Sequence, residues 1–172
     1  ALSDLFPREC VYENLGEHIN SPYPDYFPFV TMDESFVVFT SKRDDGSTKL
    51  PDGTFSNNIY YSKVENGEYT DAVHMPEADN KPSESEVVIG MANDGKNMLL
   101  MKGEEGISGD IYEADFANDQ LENLVPLGPR INSEDSREIA ATYGTDRNTV
   151  YFVSDRDGGY GGTDIWIAKK LP

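Results

Sequence analysis

The chain has 172 residues, of which 32 are acidic and 14 are basic, and its formal net charge is −18. A surface this acidic disfavours binding to nucleic acid and to anionic lipid, both of which require basic residues. It is compatible with the attraction of cations. No run of residues approaches the ~18 apolar residues of a membrane-spanning helix. The composition therefore predicts a globular chain that neither binds nucleic acid nor inserts directly into a membrane.

The residue types that most often carry catalysis or bind zinc form no recognisable motif. Cys10 is the only cysteine, which excludes an internal disulfide bond. His18 and His74 are far apart, and neither has a second ligand at the spacing of a zinc site. Nucleophile-elbow and phosphate-loop motifs are also missing from the sequence. We therefore predict no catalytic residue, although the acidic residues leave carboxylate-based catalysis open.

Three kinds of sequence string recur in the same order and divide the chain into repeats of roughly 50 residues. In each repeat, an Asp-Gly or Asp-polar turn precedes a continuous apolar run, which predicts a β-hairpin whose second strand is buried on both faces. A more alternating Asn/Asp-Ile-aromatic string then predicts a third strand nearer the sheet edge. The apolar runs are Phe36–Phe39, Met98–Met101 and Val150–Val153, and the third strands begin at Asn58, Asp110 and Asp164.

Weaker patterns predict further strands around these cores. Fourth strands are expected at Tyr69–His74 and at about Leu121–Val125, and no convincing helical pattern occurs. The string Ile19-Asn20-Ser21 returns as Ile131-Asn132-Ser133, each time just after Leu-Gly. We predict an all-β chain with repeats at about 19–80, 81–130 and 131–172, in which residues 10–15 form a strand of a preceding or partner repeat.

These strings resemble the WD40-like repeat of TolB-type β-propellers. The first repeat supplies Asp25-Tyr26-Phe27-Pro28, and the third supplies Val150-Tyr151-Phe152-Val153-Ser154-Asp155-Arg156. The segment from Tyr12 to Arg43 also resembles a subgroup found in cell-envelope proteins of Bacteroidetes-type bacteria, in which the propeller accompanies tetratricopeptide repeats and an OmpA-like domain. The resemblance implies propeller blades, a periplasmic or outer-membrane-associated location, and a non-catalytic scaffold without a cofactor that binds proteins or envelope polymers.

Three repeats are too few to close a propeller, for which four to eight blades are typical. We therefore expect half of a six-bladed ring. The other half is either a second copy of the chain or the remainder of a longer polypeptide. In both cases the N-terminal strand of one half would complete the open blade of the other.

Two groups of residues are candidate contacts for a ligand or partner. Arg43 and Arg156 each follow a serine at the end of a second strand. They either face a ligand at the converging propeller loops or pair with an aspartate of a loop or of a neighbouring blade. Tyr23, Tyr26 and Tyr160 lie near proline or glycine in predicted loops and are candidates for contact with a protein partner.

The glycine-rich string that contains Asp155, Asp157 and Asp164 has two interpretations. It fits a calcium loop, because Ca²⁺ prefers carboxylate and carbonyl oxygens, although its spacing departs from that of an EF-hand. It also fits a tight interstrand loop of glycines and turn-capping aspartates. The alternative functions are therefore a calcium-binding module, or a glycan hydrolase or lyase with two facing carboxylates in the axial cleft.

Overall fold

The structure is a computed structural model and describes residues 11–44, 47–76, 85–103 and 109–170. These residues form β-strands joined by turns and loops, and none of them belongs to a helix long and apolar enough to cross a membrane. The strands are β1 (Asp25–Val30), β2 (Phe36–Ser41), β3 (Asn58–Glu65), β4 (Glu68–Tyr69), β5 (Val73–His74), β6 (Ser85–Met91), β7 (Asn97–Gly103), β8 (Asp110–Ala117), β9 (Gln120–Pro126), β10 (Glu138–Tyr143), β11 (Thr149–Ser154) and β12 (Asp164–Lys169).

The strands form three antiparallel sheets that follow one another along the chain. The first sheet has the order β1-β2-β3-β4, and β5 also pairs with β3. The second sheet has the order β6-β7-β8-β9, and the third has the order β10-β11-β12. The all-β prediction of successive antiparallel sheets is confirmed. The fourth strand predicted for the first repeat is divided into β4 and β5, and the third sheet has three strands among the described residues.

Each sheet begins with a hairpin whose turn contains an aspartate. The carboxylates of Asp33, Asp94 and Asp146 each accept a hydrogen bond from the backbone N–H two residues later, which closes the turn. Gly95 in the second turn has a φ of +70°, and a Cβ atom there would lie 2.7 Å from Cγ2 of Thr31. This turn therefore requires glycine for both its backbone conformation and its approach to the first sheet.

Neighbouring sheets pack face to face through their apolar side chains. Residues of β2 and β3, including Val38 and Ile59, pack against Val88, Met98 and Leu100 of the second sheet. The opposite face of the second sheet packs on the third through Leu99 and Ile111 against Ala141, Val150 and Phe152. The second sheet is thus covered on both faces, as its continuous apolar run predicts.

The third apolar run is buried on one face only, so the prediction of two buried faces is wrong for β11. Val150 and Phe152 face the second sheet and are buried, whereas Tyr151 points the other way and is 43% exposed. Ile165 and Ile167 on β12 are also exposed. The physical reason is that no fourth sheet lies against this face among the described residues.

Residues 11–24, the described part of the chain before the first sheet, form no strand. Val11 and Tyr12 are 98% and 96% exposed, and Cys10 lies outside the described residues. A strand at residues 10–15 that completes another sheet would need that sheet to be present. This part of the sequence interpretation therefore stays a prediction, as do the boundaries between repeats, one of which falls within residues 77–84, outside the described residues.

Candidate functional site

The predicted contact residues lie at one end of the sheets, which we call the loop end. At this end of each sheet the first strand begins, the second strand ends and the third strand begins. The corresponding residues are paired by strand register: Asp25 with Ser41 and Ser41 with Asn58 in the first sheet, and Glu138 with Ser154 and Ser154 with Asp164 in the third. Arg43, Tyr23 and Tyr26 are grouped in the first sheet, whereas Arg156, Tyr160 and the three aspartates are grouped in the third.

Arg43 is bound inside the first sheet. Its Nη2 donates to Oδ1 of Asp25 at 2.9 Å and to the carbonyl oxygen of Ile19 at 2.8 Å. Its Nε donates to Oγ of Ser41 at 2.9 Å, and the guanidinium carbon lies 4.4 Å from the ring centroid of Tyr60. The arginine therefore joins the first strand, the second strand and the preceding linker through charge-assisted hydrogen bonds and a cation–π contact.

Arg156 repeats this arrangement in the third sheet. Its Nη2 donates to Oε1 of Glu138 at 3.0 Å and to the carbonyl oxygen of Ile131 at 2.6 Å. Its Nε donates to Oγ of Ser154 at 3.0 Å, and its guanidinium carbon lies 4.6 Å from the ring centroid of Phe152. Among the described residues, each arginine thus pairs with the acidic residue that begins the first strand of its own sheet, and not with an aspartate of a loop or of a neighbouring blade. A role of either arginine in ligand contact stays a prediction.

The second sheet contains an ion pair at the same position that the sequence interpretation missed. Nζ of Lys102 lies 3.0 Å from Oε1 of Glu86, and both side chains are less than 10% exposed. The two residues are partners in strand register, as Glu138 and Ser154 are in the third sheet. A signal was available in the sequence: Glu138 and Ser154 are 16 residues apart, and the same interval separates Asp25 from Ser41 and Glu86 from Lys102.

Hydrogen bonds hold Asp25 in its charged form at the start of β1. Burial of this side chain would raise the pKa of Asp25, but hydrogen bonds from Ser41, Ser21 and Arg43 outweigh that effect, and the pKa lies below its usual value. Each of the three first strands has, as its first or second residue, a carboxylate that pairs with a cation of the same sheet. These carboxylates are part of the scaffold.

The three predicted tyrosines differ in how far they are available for contact. Tyr160 is fully exposed, and Tyr23 is partly exposed with its ring edge-on to Phe55 at a centroid distance of 5.5 Å. Tyr26 is half-buried, and its hydroxyl donates to Oδ1 of Asn57. The neighbouring Phe27, which the sequence interpretation did not select, is 53% exposed on the bulge of β1. Phe27, Tyr23 and Tyr160 are therefore the exposed aromatic residues of the loop end.

The three aspartates of the glycine-rich loop have different surroundings. Asp155 accepts hydrogen bonds from the backbone N–H and the Nε of Arg137, at 2.7 and 3.0 Å, and these bonds lower its pKa. Asp164 accepts from the backbone N–H of Tyr160 at 2.8 Å, and Asp157 is exposed. In the described parts of the chain, no group of three or more His, Cys, Asp or Glu side chains is arranged to hold a metal ion. Calcium binding at this loop stays a prediction.

Comparison with solved structures identifies the fold. A protein assigned as a TolB from Agrobacterium tumefaciens superposes with a TM-score of 0.53 at 21% sequence identity, over 81% of this chain and 40% of that chain. The chain has the fold of part of a TolB-type β-propeller. TolB from Acinetobacter baumannii gives a TM-score of 0.49 at 17% identity, over 83% of this chain and 29% of that chain. The chain thus spans less than half the length of these propeller proteins. No family model and no curated protein matches it.

The propeller fold indicates how the loop ends of the sheets are arranged. In a propeller, the loops between strands of successive blades converge on one face around the axis. The arginine, lysine and carboxylate groups described above are bonded within their own blades, whereas Phe27, Tyr23 and Tyr160 present aromatic surface outward. This end therefore presents exposed aromatic side chains beside exposed carboxylates such as that of Asp157.

Proposed function

We propose that the protein is a non-catalytic binding module of a bacterial cell envelope, which recognises proteins or envelope polymers through aromatic residues of the loop end. The periplasmic or outer-membrane-associated location belongs to this proposal, as does an origin in an envelope protein with tetratricopeptide and OmpA-like domains. The TolB-type fold and the sequence resemblance support the envelope location.

One observation carries the proposal: the charged groups that recur at the loop end are bonded internally, while aromatic side chains there are exposed. Ion pairs neutralise the carboxylates at the starts of the three first strands. Phe27 is 53% exposed, and Tyr160 is completely exposed. Aromatic residues of this kind often dominate the binding energy of protein interfaces, because they bury a large area with few rotatable bonds.

The alternative of a carboxylate-based glycan hydrolase or lyase has less support. It requires two carboxyl groups that face each other across a cleft, with room for a sugar between them. A cleft of about 600 Å³ between the turns of the first and second sheets contains Asp33 and Asp94. Both carboxylates accept hydrogen bonds from the backbone of their own turns, which is the arrangement of turn-capping residues.

Site-specific photo-crosslinking in the intact bacterial envelope tests the proposal. A benzophenone amino acid is placed at Tyr160 or Phe27, and at Val73 on the outer strand β5 as an exposed control. We expect adducts with a discrete protein or with peptidoglycan at Tyr160 and Phe27 and none at Val73. Adducts of equal yield at all three positions, or none at any, would contradict the proposal.

Two biochemical assays separate the alternatives. Incubation of the purified protein with peptidoglycan sacculi should release no soluble fragments. A release that is lost in Asp33→Asn or Asp94→Asn would establish the enzymatic alternative instead. Calorimetric titration with CaCl₂ tests the calcium module, for which saturable heat that disappears in Asp157→Asn is required.

A further inference from the structure

The same linker conformation occurs twice in the chain. The N-terminal linker (residues 15–21) and the internal linker (residues 127–133) share the pattern Leu-Gly-x-x-Ile-Asn-Ser. In the N-terminal linker, the carbonyl oxygen of Gly16 accepts from the N–H groups of Ile19 and Asn20, and in the internal linker that of Gly128 accepts from Ile131 and Asn132. In both, the arginine of the following sheet binds the carbonyl oxygen of the isoleucine. The two linkers are therefore structural equivalents.

The internal linker fastens the third sheet to the edge of the second. Oδ1 of Asn132 accepts from the backbone N–H of Ile111 at 2.9 Å, and its Nδ2 donates to the carbonyl oxygen of Ile111 at 3.0 Å. The backbone N–H of Leu127 donates to the same carbonyl oxygen at 2.8 Å. Asn132 thus binds both the N–H and the C=O of Ile111 on the side of β8 that pairs with β9, just beyond the end of β9.

Among the described residues, the N-terminal linker binds no such strand edge of its own chain. Nδ2 of Asn20 donates instead to Oδ1 of Asn14, 3.0 Å away within the same segment. The residues before the linker, which correspond to the end of β9, include the exposed Val11 and Tyr12. The linker therefore has the conformation of its internal counterpart, and exposed apolar side chains precede it where the internal linker follows a blade-closing strand.

In the part of the chain that the structure describes, no strand pairs with the matching edge of the third sheet. Ile165 pairs with Val153 in the same register position in which Ile111 pairs with Met101. The N–H of Lys170 donates to the carbonyl oxygen of Asn148, so the even-numbered residues of β12 direct their backbone N–H and C=O groups toward β11. By this alternation the N–H and C=O of Ile165 point away from β11. Ile165 is 78% exposed, whereas Ile111 is completely buried.

We propose that two copies of the chain close each other's third sheets: the segment Val11–Asn20 of each copy adds as a strand and linker to β12 of the other, and Asn20 binds the backbone N–H and C=O of Ile165. This inference goes beyond the proposed envelope function, and it does not depend on it. A reciprocal exchange of this kind gives a closed two-fold assembly in which the main-chain pairing follows the rules of strand addition.

The register and the charges agree with this pairing. Because Val125 pairs with Glu113 in the second sheet, the equivalent register sets Glu13 of one copy opposite Ile167 of the other. Glu13 is then diagonal to Lys169 of the same strand, a favourable cross-strand arrangement of opposite charges. The net charge of −18 on each chain opposes association at low ionic strength. The paired segments are mostly uncharged, so added salt should strengthen the dimer by screening that repulsion.

Sedimentation velocity over a range of protein and NaCl concentrations tests the association. We expect a monomer–dimer equilibrium that shifts toward dimer as NaCl rises. Asn20→Ala should weaken it by about tenfold or more, because two hydrogen bonds to buried backbone groups are lost. Ile165→Lys should abolish it, whereas Asn148→Ala, an exposed asparagine of a hairpin turn, should leave it unchanged. Circular dichroism melts of the monomers verify that each variant folds.

A disulfide trap tests the register. Chains with Glu13→Cys and chains with Ile167→Cys, both in a Cys10→Ser background, are mixed and oxidised, and a disulfide-linked heterodimer should form in high yield. Glu13→Cys mixed with Tyr151→Cys, one strand further in, should form little. A monomer under all conditions would overturn the proposal. So would a dimer that is insensitive to Asn20→Ala and Ile165→Lys, which would show that another surface associates.

Discussion

The second and third sheets perform the same structural task with different chemistry. In the second sheet a buried lysine, Lys102, pairs with the carboxylate of Glu86 within the sheet. In the third sheet, Arg156 pairs with Glu138 and also binds the carbonyl oxygen of Ile131 in the linker. The arginine network therefore joins two strands and the chain segment that leads to them. Arg156 thereby fixes the position of the linker as well as that of the hairpin.

The two sheets also differ in what covers them. Ile111 and Ile165 have the same place in the repeat, but among the described residues only Ile111 has a following sheet and linker against it. The repeat sequence specifies the strand in both cases, and the neighbouring sheet determines whether its side chains are buried. An exposed isoleucine at such a position thus marks a surface where a neighbour belongs.

The largest expected effect comes from breaking the ion pair of the second sheet. Lys102→Met leaves Glu86 as a buried carboxylate without its cation, and the free energy of unfolding should fall by about 3–5 kcal/mol. Urea denaturation measures the loss. The double variant Glu86→Leu/Lys102→Met should recover most of it, because replacement of a whole buried pair by apolar residues is often neutral.

The corresponding double variant in the third sheet is Glu138→Leu/Arg156→Met, and its free energy of unfolding is compared with that of the second-sheet double variant. The third-sheet variant should not recover stability, because the hydroxyl of Ser154 and the carbonyl oxygen of Ile131 lose their donor or acceptor. Equal recovery in the two sheets would mean that the contacts of Arg156 with the linker contribute nothing to the free energy of unfolding.

A second prediction uses the two equivalent isoleucines. Ile111→Ala removes a completely buried side chain from the junction between sheets and should lower the free energy of unfolding by about 2–5 kcal/mol. Ile165→Ala, measured on the monomer at low protein concentration, should change it by less than about 0.5 kcal/mol, since the residue is largely exposed. A similar loss in both variants would indicate that the exposed face of the third sheet is covered in solution.

Sequence patterns were sufficient for the sheets and insufficient for the ion pairs. The apolar runs and the Asn/Asp-Ile-aromatic strings recur with each blade, so β2, β3, β7, β8, β11 and β12 could be predicted from them. The carboxylates at the strand starts are three among 32 acidic residues. The shared interval of 16 residues relates them to Ser41, Lys102 and Ser154, but it does not reveal the cation in the first and third sheets, where the arginine lies two residues beyond the register partner. The middle repeat has no Ser-x-Arg string, so its sequence did not point to Lys102 as the corresponding cation.

The exposure of side chains was predicted less well, because it depends on neighbours that the local pattern does not specify. Tyr26 was selected as a partner contact, but its hydroxyl reaches Asn57 across the first sheet. Val150–Val153 has the composition of a doubly buried strand, and its outer face is open because no further sheet covers it among the described residues.

A smaller effect is expected when the guanidinium group of the third sheet is replaced by an ammonium group. Arg156→Lys keeps the charge but loses the planar fork that binds Glu138 and Ile131 together. The free energy of unfolding should fall by about 1–2 kcal/mol, as measured by urea denaturation. The matched control is Arg137→Lys, whose side chain is 65% exposed in its pair with Asp155, and whose effect should stay below about 1 kcal/mol. Equal losses in the two variants would contradict the special role of Arg156.

The smallest effect concerns the first of the three hairpin turns. Hydrogen bonds from the hydroxyl groups of Thr31 and Ser35, followed by the backbone N–H of Ser35, lower the pKa of Asp33 to about 2. The turns of the second and third sheets have Ala92 and Gly144 where the first has Thr31. Thr31→Val removes the first of these donors and should raise the pKa of Asp33, which NMR titration of its carboxyl carbon measures. Because the pKa of the folded state is lowered, the stabilisation by Asp33 is complete above the unfolded pKa of about 4 and is lost as the pH falls toward about 2. In Thr31→Val the maximum stabilisation by Asp33 should be smaller, and its loss on acidification should be complete at a higher pH. An unchanged titration midpoint would show that the threonine hydroxyl is not the group that distinguishes this turn from the other two.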